Sequence, residues 1–235
     1  MKRLLLFVFL YVLTILAVLI SCSGFTQTFD LAESVPTFTE FIEYIFLYTP
    51  PGTPIEFSSS KLLLYFSILL FSCYILILHS FDNNTKYRSL LILRYGAKCR
   101  YYWHSLWEIF IRSVRMVVFI AATLLLCSCI FSIPICITLD TCRRFLLFFI
   151  NLQLFYFLVG LLNFFCTLHF NDSVSTLTCL SFSSFVLVFD AYHPGLKLIV
   201  FGDEPKLLVG CAVLCFIAAL FSVIMRINVK RTDLL

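Results

Sequence analysis

Charge is what this sequence has least of. Lysine, arginine, aspartate and glutamate make up 13% of its 235 residues, about half of the roughly 25% usual in soluble domains. Meanwhile 61% of the residues are hydrophobic and the mean hydropathy is +1.01. A chain this poor in charge has lipid for its solvent, and composition alone makes it an integral membrane protein. The common catalytic signatures are missing as well. There is no Walker A pattern, so the chain has no P-loop for ATP, and neither an H-E-x-x-H zinc motif nor a G-x-S-x-G nucleophile elbow occurs. The histidines, His79, His104, His169 and His193, have no carboxylate or nucleophile at a recognisable spacing, which argues against an intramembrane enzyme. Nothing asks for a cofactor held by this chain or for a nucleic-acid partner.

What is present is long apolar runs. A bilayer crossing consumes about 20 apolar residues, so a chain of this length holds roughly six spans with short connections and no sizeable water-soluble domain. The runs lie at about 4–22, 61–80, 108–137, 145–168, 174–190 and 206–226, with the first turns of the third in the interface. The expected fold is therefore an all-α polytopic membrane protein of about six transmembrane helices, with both termini on one side. Charge chooses the side. With the termini cytoplasmic, the inner face holds twelve basic residues: Lys2, Arg3, Lys86, Arg88, Arg94, Lys98, Arg100, Arg112, Arg115, Arg226, Lys230 and Arg231. The outer face holds five, Lys61, Arg143, Arg144, Lys197 and Lys206. Arg143 and Arg144 dissent from the rule in a tight turn between the third and fourth spans. The acidic residues Asp30, Glu33, Glu40, Glu43, Glu56, Asp140, Asp190, Asp203 and Glu204 would all be outside.

The start, Met1-Lys2-Arg3 followed by an apolar core and Leu19-Ile20-Ser21-Cys22, reads either as an uncleaved first span, the reading adopted, or as a secretory signal ending at Cys22. Cleavage would leave the rest of the topology unchanged. The sequons Asn83-Asn84-Thr85 and Asn171-Asp172-Ser173 fall on the inner side, which suits a bacterial inner membrane rather than a glycosylated protein.

Three connections stand out. The outer loop 23–60 interleaves Phe38, Phe41, Ile42, Ile45, Phe46 and Tyr48 with Glu40 and Glu43, then reaches Pro50-Pro51-Gly52. That spacing predicts an amphipathic helix at the outer leaflet, ended by the prolines. It reads as an acidic mouth for a cationic ligand or as a solvated exterior over a packing helix. The segment from Asp190 to Lys206 carries Tyr192-His193-Pro194-Gly195 and an apolar run, Leu196 to Phe201, too short to span, so it is expected to be re-entrant or interfacial. His193 beside Asp190 offers two metal ligands, which do not make a site. The inner loop, about 82–107, is the densest in basic and aromatic residues. Gly96 permits a sharp bend, after which Ala97 to Arg115 reads as an elbow helix with Trp103 and Trp107 at the headgroups and Glu108 paired with Arg112 four residues on.

Of the eleven cysteines, nearly all fall in spans, where Cys packs as a small apolar residue. Cys136 and Cys142 are near enough in sequence for an outer disulfide. Asn151, Gln153 and Asn163 are the notable polar groups of the fourth span; they either join helices by hydrogen bonds or, with Glu40 and Glu43 at the mouth, line a substrate path.

The run Tyr87-Arg88-Ser89-Leu90-Leu91-Ile92-Leu93-Arg94-Tyr95-Gly96-Ala97-Lys98-Cys99-Arg100-Tyr101-Tyr102-Trp103 resembles a segment, roughly L-I-R-Y-G-S-R-K-K-W-W, of small six-span permease subunits of ATP-binding-cassette exporters of Gram-positive bacteria. These permeases are linked to bacteriocin or antimicrobial-peptide export and immunity. Arg94, Tyr95, Gly96, Lys98, Arg100 and Trp103 match by type; Ala97 and Cys99 depart. The resemblance implies a non-catalytic permease half that pairs with itself or a related half, while separately encoded ATPase subunits hold ATP and magnesium. It also implies that the inner loop docks on the ATPase, with Arg88, Arg94, Lys98 and Arg100 contacting it or lipid, Gly96 as the bend, and Tyr95, Trp103 and Trp107 alongside. A short re-entrant element before the last span is a further feature of that class. The rival expectation is a stand-alone membrane immunity protein that sequesters a toxic peptide at the acidic outer loop.

Overall fold

The computed structural model describes residues 2–30, 37–48, 59–84, 98–135, 138–193 and 196–231. These form α1 (Lys2–Asp30), α2 (Phe38–Ile45), α3 (Ser59–Asn84), α4 (Lys98–Ile130), α5 (Leu139–His169), α6 (Asp172–Tyr192) and α7 (Glu204–Arg231), with no strand among the described residues. All but α2 are long and apolar enough to cross a membrane. The chain is a multi-pass, all-helical membrane protein with six candidate spans among the described residues, as the apolar runs predict.

The helices are longer than the apolar runs because polar residues near the membrane surface continue them. Arg143 and Arg144, expected in a turn, lie in the opening turns of α5, which starts at Leu139 behind the N-cap Thr138. Asp140 sits in that first turn, where a carboxylate complements the helix dipole. At the other end of α5 only Phe170 and Asn171 separate it from α6, and the Asn171 side chain accepts from Val174 N at 3.0 Å. The elbow and third span expected separately form one continuous α4 of 33 residues. It stops short of the run expected to reach residue 137. Ser132, at φ 55, turns the chain, with Ser132 N donating to Cys129 O at 3.3 Å and Ile133 N to Ser128 O at 2.9 Å. This is a Schellman closure in front of Pro134, which cannot continue a helix.

α5 is the central mast, the most deeply buried of the six long helices, while α7 is the least. It packs on α3, α4, α6 and α7 through Phe148, Leu152, Phe155, Tyr156 and Val159. Gly160 sets the α4 crossing, since a Cβ there would lie 2.4 Å from Ile109 Cγ2. One end of the bundle, near the two chain termini, closes on Tyr101, Tyr102, Leu161, Phe164, Met225 and Val229. The other end is covered by α2. Its N-cap Thr37 accepts from Glu40 N while Glu40 Oε2 accepts from Thr37 N at 2.8 Å, a capping box. Phe38, Phe41, Ile42 and Ile45 are buried, so α2 is tucked onto the bundle rather than laid on it. A second Schellman closure ends α2 at Leu47 (φ 58), where Tyr48 N donates to Glu43 O at 2.9 Å. The prolines 50 and 51 lie outside the described residues.

Candidate functional site

Among the described residues the most unusual backbone is the stretch 196–203, between α6 and α7. Residues 196–203 contain no helix or strand, yet Lys197 through Gly202 are all buried. A buried irregular strap must find partners for its backbone polar groups, because an unpaired one is expensive away from water. Side chains of neighbouring helices supply them. The Asp190 carboxylate, at the end of α6 and itself fully buried, accepts three successive N–H groups: Leu198 at 2.6 Å, Ile199 at 2.7 Å and Val200 at 2.6 Å. Tyr65 of α3 donates its hydroxyl to Ile199 O. Asn151 Nδ2 of α5 reaches Leu207 O at 3.0 Å and Lys197 O at 3.4 Å. Phe201 N donates to Phe46 O, just past α2, at 2.9 Å.

Lys197 completes the arrangement from the strap's side. Residue 194 is proline and has no N–H for the Asp190 carbonyl, one of the orphan acceptors of a helix end. Lys197 Nζ donates to that carbonyl at 2.8 Å instead. Burial lowers the Lys197 pKa, opposed by the Asp190 charge and reinforced by Lys206. Gly210 makes room for the strap, because a Cβ there would stand 2.0 Å from Lys197 O.

Around the strap lies a cap of aromatic and charged side chains. Phe46, Phe148 and Phe201 pack with centroids 4.6 and 5.4 Å apart along that chain, and Phe145 joins Phe201 at 5.6 Å. Arg144 Nη1 donates to Glu43 Oε1 at 3.2 Å and sits 5.6 Å from the Phe201 ring. Tyr48 Oη donates to Asp203 Oδ1 at 2.9 Å, Lys206 approaches Asp203 at 3.4 Å, and Lys61 lies 4.0 Å from the Tyr44 ring. Burial holds the Glu43 carboxyl above its usual range even though Arg144 pulls it down. The Tyr48 hydroxyl is pushed up to about 12, first by burial and then by its bond to Asp203. Four of the five basic residues that count against the charge rule, Lys61, Arg144, Lys197 and Lys206, thus serve contacts within the cap, and Arg143 is exposed.

The residues singled out in the sequence fall in separate places. Arg88, Arg94, Tyr95 and Gly96 lie outside the described residues, and Lys98 opens α4. Arg100, Trp103 and Trp107 are exposed, whereas Tyr101 and Tyr102 turn inward, Tyr102 donating to Ser222 O of α7. Trp107 stacks on Phe110 at 5.8 Å, and Arg112 Nη2 donates to Glu108 Oε2 at 3.0 Å as the spacing predicts. Asn151, Gln153 and Asn163 point to three different neighbours: the strap and α7, then α4 through Ser113 Oγ at 2.7 Å, then α6 through Ser175 Oγ at 2.7 Å. Each also keeps one buried atom, Asn151 Oδ1, Gln153 Oε1 and Asn163 Nδ2, with no hydrogen-bond partner among the described residues. Glu40 caps its own helix and Glu43 holds Arg144. His193 stacks on Phe189 at 5.0 Å, while both oxygens of Asp190 are engaged by the strap. No group of three metal-binding side chains occurs among the described residues. Cys136, near enough in sequence to pair with Cys142, lies outside them.

Tyr65, Lys197 and Gly210 were not legible as site residues. Asp190 carried a weak signal: a carboxylate ending an apolar span four residues before a proline has a carbonyl and a charge that both need partners. Comparison with protein-family models, with curated proteins and with solved structures finds no match.

Proposed function

We propose that this chain is the permease subunit of an ATP-binding-cassette transporter in a bacterial plasma membrane, with both termini cytoplasmic. It would export a peptide or amphiphile, or confer immunity to one, together with a second permease half and a separately encoded ATPase. The observation that carries this reading is the Arg94-to-Trp103 resemblance running directly into the exposed start of α4. At 1.5 Å per residue, the 33 residues of α4 extend roughly 50 Å, against a hydrocarbon core of about 30 Å. The surplus leaves Arg100, Trp103 and Trp107 at or beyond the headgroups, where a partner can reach them. ATPase closure would push the 82–107 loop and shift the bundle between two states, a coupling of binding to conformation.

The test is co-purification with the ATPase encoded beside this gene. The pair Gly96→Pro and Arg94→Glu is expected to abolish association and permease-stimulated ATP turnover; unchanged association and turnover would reject the reading. The exposed Glu40 and Asp140 at the cap end favour a second reading, a membrane immunity protein that holds a cationic peptide without transport. Full resistance after deletion of the ATPase gene would select it.

A further inference from the structure

The strap closes over polar ground. Beneath it, α3, α5 and α6 meet along a seam of buried hydroxyl, thiol and amide groups. Ser72 Oγ and Tyr156 Oη are 2.6 Å apart, Ser183 Oγ donates to Cys73 Sγ at 3.4 Å, and Asn163 and Ser175 meet toward the opposite end. On α6 the polar groups of the seam are Ser175, Cys179, Ser183 and Asp190, all buried, with the apolar Val186 and Leu187 between the last two, and at 1.5 Å per residue these fifteen steps cover about 22 Å. The strap at its head is held differently from the helices around it. A helix secures its backbone through its own ladder, but the strap, with Leu198 to Phe201 packed in the apolar core and one backbone pair from Phe201 N to Phe46 O, holds the rest of its backbone through side chains that can rotate away. One rotation of Asp190 releases three N–H groups together, and one of Tyr65 frees Ile199 O.

We propose that residues 196–203 form a releasable closure over this polar seam, with Asp190 as the latch. Opening detaches the strap from α3 and α6 while α5 and α7 stay folded, and it uncovers Asp190, Tyr65 and Tyr156 from the capped end. The use of this opening as a step in transport rests on the permease reading; the opening itself does not.

Hydrogen exchange read by mass spectrometry on the full chain in nanodiscs tests the opening. Strap amides 198–200 should exchange at least ten-fold faster than α5 amides 148–160. Asp190→Asn should accelerate the strap about ten-fold more with α5 and α7 unaltered. Tyr65→Phe, a milder change, should give a smaller increase confined to the strap. Strap amides as slow as α5 in the wild type and in Tyr65→Phe, or acceleration spread evenly over all helices in both variants, would overturn the proposal. A second arm joins Tyr48→Cys to Asp203→Cys with a bis-methanethiosulfonate linker, with Cys129, Cys142 and Cys215 replaced by Ala. Cross-linking should cut the permease-stimulated ATP turnover of the neighbouring ATPase at least ten-fold and dithiothreitol should restore it. Unchanged turnover in the cross-linked protein would reject the transport role of the closure. No stimulation even by the wild-type chain would reject the permease reading and leave the exchange result standing.

Discussion

Among the described residues two hold the left-handed backbone conformation without being glycine, and their substitution separates backbone strain from side-chain burial. Ser132 (φ 55) and Leu47 (φ 58) occupy the same position in the closures that end α4 and α2, a conformation disfavoured by about 1–2 kcal/mol for residues bearing a Cβ. Ser132 is exposed, so relief of that strain, less the roughly 0.4–1 kcal/mol that glycine's freedom in the unfolded chain costs, should leave Ser132→Gly more stable by about 0.5–1 kcal/mol, visible as a higher midpoint in thermal unfolding in detergent. Leu47 is 2% exposed; burying such a side chain contributes about 1.5–3 kcal/mol, so Leu47→Gly should lower the midpoint despite relieving the same strain. Gly210 presents the reverse problem. The 2.0 Å approach of its missing Cβ to Lys197 O is to backbone, which cannot swing aside, and Gly210→Ala should destabilise by at least the 1–3 kcal/mol typical of overpacking. If its unfolding midpoint matched wild type, the tight seating of the strap on α7 would be wrong.

At the scale of elements, α2 is joined to α5 by the Glu43–Arg144 pair, and the burial of that pair gives it a pH dependence. The folded-state pKa of Glu43 is raised, chiefly by burial, so the folded chain takes up this proton more readily than the unfolded chain, whose glutamates titrate near 4.3. Stability from this group is therefore greatest below the unfolded value and falls as pH rises through the raised folded value. Relative to Glu43→Gln, the wild-type melting temperature should decline across that window and run parallel above it; curves parallel throughout would remove the burial argument. The elements themselves were largely legible. Unbroken apolar runs announced the six long helices, and the spacing of Phe38, Phe41, Ile42 and Ile45 announced α2. The ends were not, because Arg143, Arg144 and the aromatic start of α4 are compatible with helix or loop until caps such as Thr138 and turns such as Ser132 are seen. The strap was legible only as an apolar run too short to cross. Its fastenings come from distant residues such as Tyr65, 134 positions from Ile199, and Phe46, farther still, and no local pattern reports partners that far away.

For the whole molecule, the distribution of charge makes a claim about sidedness. The capped end should face outward. Cys142, exposed at the start of α5, should react with a membrane-impermeant maleimide applied to intact cells, while a cysteine placed at Asn228→Cys near the end of α7 should react only after permeabilisation. The opposite labelling pattern would invert the topology and move the basic start of α4 to the outside. The cap also orders events in biosynthesis. A chain emerges N-terminus first, so Glu43 exists 101 residues before Arg144, and the carboxylate is already made when the arginine is added. The strap, by contrast, needs Phe46, Tyr65, Asn151 and Asp190 from earlier helices and the notch at Gly210 from the last. It can seat only once α7 stands beside those helices, so closure of the cap follows the formation of all seven described helices.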